Sequence, residues 1–181
     1  MYLCDMNLQE RLISTIRDVP DFPKEGIMFK DISTIMLDAK LSADVLDYLV
    51  EIYKDQNLEA IAGIESRGFL FGYPLAIRLG LPFIMLRKKG KLPYKKITFE
   101  YDLEYGSAAI EMHIDAIHTG QRVLIHDDLL ATGGSAAAAA ELIQQCGGEV
   151  AGFSFLVSLD FLCGNEKLKT YSDKIVNLVR F

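Results

Sequence analysis

Five short stretches of this chain are apolar almost without interruption: "AIAGI" (Ala60–Ile64), "PFIML" (Pro82–Leu86), "RVLIH" (Arg122–His126), "VAGFSFLVSL" and "KIVNLV". A strand with one face in water alternates apolar and polar residues, whereas a strand covered on both faces does not. Runs of this kind, separated by segments with helical spacing, predict an α/β fold. Its centre is a mainly parallel sheet, flanked by helices on both faces and doubly wound.

The helical segments follow from the same reading. Residues 7–17 repeat Leu8, Leu12 and Ile16 on one side. Ser42 can cap a helix in which Val45, Leu46, Leu49, Ile52 and Tyr53 share a face. Another helix follows "ESRG" and runs to Leu79, with a kink expected at Pro74. The last, Ser135–Cys146, is ended by Gly147 and Gly148. Asp18–Asp31, with two prolines and a glycine, reads as an ordered loop. Residues 87–106 read as a long excursion before the strand "SAAIEMHI". No repeat or second domain is visible, so residues 1–181 are expected to form a single domain.

Charge and cysteine usage narrow the function classes. A net charge of -6 argues against general nucleic-acid binding, which requires a basic footprint. Three cysteines without a CxxC pair, and three scattered histidines, make no metal-ligand pattern. Reduced thiols, the absence of a secretory pattern in "MYLCDMNLQERL", and no apolar run near the roughly 20 residues of a membrane span predict a soluble cytoplasmic protein.

The chemistry concentrates in "RVLIHDDLLATGGS" (Arg122–Ser135). Thr132, Gly133, Gly134 and Ser135 place small side chains and two hydroxyls directly before a helix, where backbone amides converge on phosphate. Neither GxxxxGK[ST] nor GxGxxG occurs, which excludes the usual cradles of ATPases and dinucleotide enzymes. Alone, the acidic pair Asp127 and Asp128 more often just ends a strand. Between a strand and a phosphate turn, its carboxylates suit the vicinal hydroxyls of a sugar. A ribose 5-phosphate satisfies both halves. His126 faces away from Asp127 and has no GxSxG turn beside it, so it reads as structural.

Other segments are ambiguous on their residues alone. In "IESRG" (Ile64–Gly68), Arg67 can grip pyrophosphate, or Ser66 can simply cap a helix. From Arg87 to Lys96, six of ten residues are basic, a solvated loop or a local field for an anion. Glu104 in "YDLEYG" reads as a surface acid, and Ile27, Met28 and Phe29 as core plugs.

A resemblance resolves these alternatives. "VLIHDDLLATGGS" resembles the phosphoribosyl pyrophosphate signature of type I phosphoribosyltransferases. "FPKEGIMFKDIS", "GIESRGFLFG", "LRKKGKLP" and "YDLEYG" match segments of the adenine-specific family within that superfamily, in its order, from about Phe22 to Leu159. His126 and Ser135 are mild departures, standing where a β-branched apolar residue and a threonine are frequent; Ser135 keeps the hydroxyl. The resemblance implies transfer of phosphoribose to adenine, with AMP and pyrophosphate as products and Mg2+ carried mainly on substrate oxygens. It implies a homodimer, a base-selecting hood largely from residues 1–35, and a flexible lid at about 87–106. It assigns Asp127, Asp128, Ala131, Thr132, Gly133, Gly134 and Ser135 to the sugar phosphate. Glu65, Ser66, Arg67, Arg87, Lys88, Lys91 and Tyr105 go to pyrophosphate, Met28, Phe29 and Arg67 to the base, and Glu104 to proton transfer. Two other functions stay open on the residues themselves: transfer to a 6-oxopurine, and sensing of phosphoribosyl pyrophosphate without turnover.

Overall fold

The computed structural model describes residues 6–22, 24–102 and 107–181. Its chain divides into two compact units, one up to Glu51 and one from Ile52 onward.

In the first unit, helix α1 (Leu8–Thr15) is closed by a reciprocal cap. The Asn7 carboxamide accepts from the Glu10 amide at 2.9 Å, while Asn7 N–H donates to the Glu10 carboxylate at 3.0 Å. Strands β1 (Arg17–Pro20) and β2 (Met28–Asp31) pair antiparallel, so the stretch read as a loop is a two-stranded ribbon. Four-residue strands, the first ending on Pro20, give no alternation long enough to register in sequence. A single turn, α2 (Ser33–Met36), precedes α3 (Ala39–Tyr53). The cap of α3 is Asp38, which accepts from Leu41 N–H at 2.9 Å; Ser42 lies inside the helix and donates to the Ile35 carbonyl.

The second unit is a seven-stranded sheet. Its elements are β3 (Ala60–Ile64), α4 (Gly68–Leu79), β4 (Phe83–Lys88), β5 (Lys96–Asp102), β6 (Ser107–His113), β7 (Arg122–Leu130), α5 (Gly134–Gln145), β8 (Glu149–Ser158), α6 (Gly164–Leu168) and β9 (Ile175–Arg180). The strand order is β5-β6-β4-β3-β7-β8-β9. β4, β3, β7, β8 and β9 are mutually parallel, and β6 joins β4 antiparallel. The expected excursion at 87–106 therefore contains a strand, β5, fully paired with β6.

Sequence parity sorts the two faces of the sheet. Ala60, Ala62, Val123, Ile125, Phe153 and Phe155 share a buried cluster with Ala136–Ala140 of α5. The alanines let the helix lie close to the strands, and Phe153 stacks on Phe155 at 6.4 Å. Truncating either ring to alanine would cost about 3–5 kcal/mol. On the other face α4 backs onto β7, with Gly72 against the His126 ring. No helix among the described residues is long and apolar enough to cross a membrane.

Candidate active site

The parallel strands follow the order second, first, third, fourth, fifth, and the winding reverses between β3 and β7. Ligands of open α/β sheets bind beyond the carboxyl ends at that reversal. The two segments singled out by their residues, "ESRG" after β3 and "DDLLATGGS" at the end of β7, emerge there side by side.

Strand β7 extends to Leu130, so Asp127 and Asp128 belong to the strand rather than to the turn. Asp127 accepts from the Asp128 backbone N–H at 2.9 Å. Asp128 is almost wholly buried, and its Oδ2 lies 2.9 Å from Arg67 Nε. That approach is an ion pair without hydrogen-bond alignment, leaving Oδ2 with no hydrogen-bond partner among the described residues. Burial pushes both carboxyls above the usual carboxylate range. The Asp128 charge pushes Asp127 further, while Arg67 holds Asp128 back. Asp127 keeps partial exposure at the mouth of the site. Gly68 makes the junction possible: a Cβ there would sit 2.8 Å from the His126 carbonyl and 3.0 Å from Asp127 Oδ1.

Beyond the dyad, a concavity of about 90 Å³ is lined by Asp127, Leu129, Leu130, Ala131, Thr132, Gly133, Gly134, Ser135, Ala136 and Phe155. That is room for about three waters, the scale of a single phosphate rather than of a purine. Gly133 enters α5 at φ +78° with its Cα hydrogens facing Gly164; a Cβ would lie 2.9 Å from the Gly164 carbonyl. The turn thus brings its amides to the positive end of a twelve-residue helix.

The segment after β3 is held differently. The Glu65–Ser66 peptide is cis, a geometry no residue in "IESRG" announces. The Glu65 carboxylate accepts from Lys88 N–H at 2.8 Å and from Arg87 Nε and Nη2 at 3.2 and 3.3 Å. Burial alone would raise its pKa; the Lys88 amide and Arg87 outweigh it and lower it. Its side chain is thus committed to Arg87, whose Nη1 also donates to the Lys91 carbonyl. Ser66 and Arg67 are exposed.

Within the basic run, Lys89 pairs with Glu100 and Lys96 with the buried Glu111, which also accepts from Gly90 N–H at 2.9 Å. Glu111 gave no signal in sequence, because its alternating position on β6 predicts a solvent face. Lys88, Lys91 and Lys95 make no ion pair with a described residue. Tyr101 is the other residue that sequence reasoning passed over, its hydroxyl lying 3.0 Å from that of Ser135.

In the first unit, Met28 is 47 % exposed and Phe29 is half-buried, edge-on to Phe22 at 5.1 Å. They are not core plugs, and with Ile27 and Phe22 they leave apolar surface in water. Glu104 and Tyr105 lie outside the described residues. His126 is wholly buried, with Nδ1 3.1 Å from Ser154 Oγ, and burial pushes its pKa down to about 4.

A family model described as a phosphoribosyl transferase domain matches residues 34–178. The chain is 51% identical over 92% of its length to an adenine phosphoribosyltransferase of Clostridium perfringens, covering 95% of that protein. It is 47% identical over 96% of its length to one of Cytophaga hutchinsonii, covering 96% of that protein. The crystal structure of adenine phosphoribosyltransferase from Thermoanaerobacter pseudethanolicus superposes with a TM-score of 0.92 at 47% identity, over 97% of this chain and 100% of that one. The Saccharomyces cerevisiae enzyme, solved with an iminoaltritol bisphosphate and adenine, superposes at 0.87 and 39% identity, over 94% of this chain and 98% of that one. The chain belongs to the phosphoribosyltransferase family, among the adenine phosphoribosyltransferases.

Proposed function

We propose that this chain transfers the phosphoribosyl group of phosphoribosyl pyrophosphate to adenine, releasing AMP and pyrophosphate, in purine salvage. The observation that carries the reading is the pair of Asp127, half-exposed, and Asp128, buried, leading into a phosphate-sized turn at the sheet's reversal point. Relatives support the choice of ligands. The yeast structure contains adenine, and that of Trypanosoma brucei, 27% identical with a TM-score of 0.87, contains AMP, pyrophosphate and ribose-5-phosphate.

Each half of the site has a task in this reaction. Amides from Ala131 to Ser135 hold the 5-phosphate, aided by the end of α5. Asp127 and Asp128 accept from the ribose hydroxyls and orient the sugar without attacking it. Burial that favours their neutral forms lessens their repulsion of the phosphate nearby. Arg67, Arg87, Lys88 and Lys91, with backbone groups of Glu65 and Ser66, receive pyrophosphate; the Glu65 carboxylate serves by positioning Arg87. The bond from the anomeric carbon to pyrophosphate breaks as a ring nitrogen of adenine bonds to that carbon. The proton leaving the base passes to Glu104, and Tyr105 covers the sugar and pyrophosphate.

The exposed Met28 and half-buried Phe29 suit a hood, largely from residues 1–35, that stacks on a purine and reads its edge through backbone groups. Arg67 can also face the base. Residues 87–106 act as the lid, built on the β5–β6 pair. Mg2+ would suit a site of hard oxygens: it would be held mainly by substrate oxygens, while Asp127 and Asp128 hold the ribose hydroxyls. When bound it supplies charge neutralisation to the leaving group. A homodimer is supported by an apolar stripe on α4, where Leu70, Tyr73 and Ile77 are 43, 54 and 61 % exposed. The protein works in the cytoplasm, without nucleic acid or membrane as partner.

Radiolabelled adenine incubated with phosphoribosyl pyrophosphate and Mg2+ should yield labelled AMP. Binding of the sugar diphosphate without any AMP would instead make the protein a sensor.

A further inference from the structure

Tyr101 lies on β5, outside the phosphate turn in sequence, yet it meets that turn twice. Its hydroxyl is 3.0 Å from Ser135 Oγ. Its ring edge would lie 3.6 Å from a Cβ placed on Gly134. The ring therefore packs against the first residue of α5 while the hydroxyl caps the second.

A serine hydroxyl has one proton to give and two lone pairs to receive. Without a ligand, either of the two oxygens can be the donor. The oxygens of a phosphate dianion, the main form above pH about 6, only accept, so Ser135 gives its proton to the ligand when a 5-phosphate binds there. Its remaining partner must then donate, and the tyrosine hydroxyl can. The chain Tyr101 O–H to Ser135 O–H to phosphate has a single direction, and each bond polarises the next.

We propose that Tyr101 is a positioning residue for the 5-phosphate: it donates to Ser135 Oγ, aims the serine proton into the turn, and ties the β5–β6 pair to the occupied phosphate site. The inference rests on the reading of that turn as the 5-phosphate site, and does not depend on which base is used.

Binding of ribose 5-phosphate, measured by titration calorimetry, tests this in the intact protein with four variants: parent, Tyr101→Phe, Ser135→Ala and the double substitution. Phenylalanine keeps the ring against Gly134 and removes only the hydroxyl. The expected result is a 3- to 10-fold weaker affinity in Tyr101→Phe, the loss of roughly one hydrogen bond. Pyrophosphate affinity should stay within about twofold. In the Ser135→Ala background the same tyrosine change should alter ribose 5-phosphate binding less than about twofold, because its target is gone. With adenine as acceptor, the KM for phosphoribosyl pyrophosphate should rise by a similar factor while kcat holds. Unchanged ribose 5-phosphate affinity in Tyr101→Phe overturns the inference, as does an equal loss with and without Ser135, or a parent that does not bind ribose 5-phosphate. If the coupling appears but no AMP is ever formed, the assignment of the reaction fails and this inference stands.

Discussion

Two adjacent aspartates before the proposed phosphate turn place charge where an anion would bind, and their surroundings temper it. Burial raises the pKa of both, most strongly for Asp127, and Arg67 stands 2.9 Å from Asp128. The cost falls on stability. An acid whose folded-state pKa is raised binds more protons folded than unfolded, so it weakens the fold as pH rises above the unfolded value near 4. Asp127→Asn removes that charge and keeps the shape. It should raise the melting temperature at pH 7.5 by about 2–4 °C, with the gain shrinking as pH falls toward 4. It should also weaken productive binding of the sugar diphosphate. A lower melting temperature at pH 7.5 would mean the carboxylate is a structural support. At this scale sequence reading went far but not to the end. Asp127, Asp128, Gly133 and Ser135 were legible because their residue types are unusual after a buried strand. The Arg67–Asp128 pair, the Glu65 grip on Arg87 and the burial of Glu111 were not, since each joins segments that only the folded sheet makes neighbours.

Elements differ in how much of themselves they write into sequence. β3, β7 and β8 announce themselves by unbroken apolar runs, and α5 by five alanines ended by glycines. β5 does not: "KITFEYD" sits beside a basic run and begins on the last lysine of it, so charge masks its alternation. The β1–β2 ribbon is too short, and its prolines suggest a loop. In α4 the buried side, with Phe71, Gly72, Leu75 and Ala76, accounts for only part of an almost wholly apolar helix. Leu70, Tyr73 and Ile77 stand three and four residues apart on the other side, in water. A stripe of that kind at a subunit interface would be covered by a second copy. Ile77→Glu should convert dimer to monomer in sedimentation velocity while far-ultraviolet circular dichroism stays the same. A parent that sediments as a monomer, or a dimeric Ile77→Glu, would remove α4 from the interface.

At the scale of the whole molecule, strand order places the chemistry. The sheet reverses between β3 and β7, where the loop leaving β3 carries Arg67 and the carboxyl end of β7 carries the aspartate pair. A chain with net charge -6 then concentrates cations on one neighbouring turn, with Glu65 and Glu111 fixing its geometry from below. Apolar runs make the layered sheet legible in the sequence, but not its strand order, because nothing local specifies which parallel strand pairs with which. The same limit applies to the base: the proposed ribose 5-phosphate site rests on the dyad and the turn, while adenine rests on kinship and on the exposed surface around Met28. Adenine presents a donor where hypoxanthine presents a carbonyl, so a site built for one leaves groups unpaired with the other. The most direct measurement is pyrophosphate release from phosphoribosyl pyrophosphate with adenine and with hypoxanthine as competing acceptors. The account predicts a kcat/KM for adenine at least about 100-fold higher; preferred turnover of hypoxanthine would contradict it.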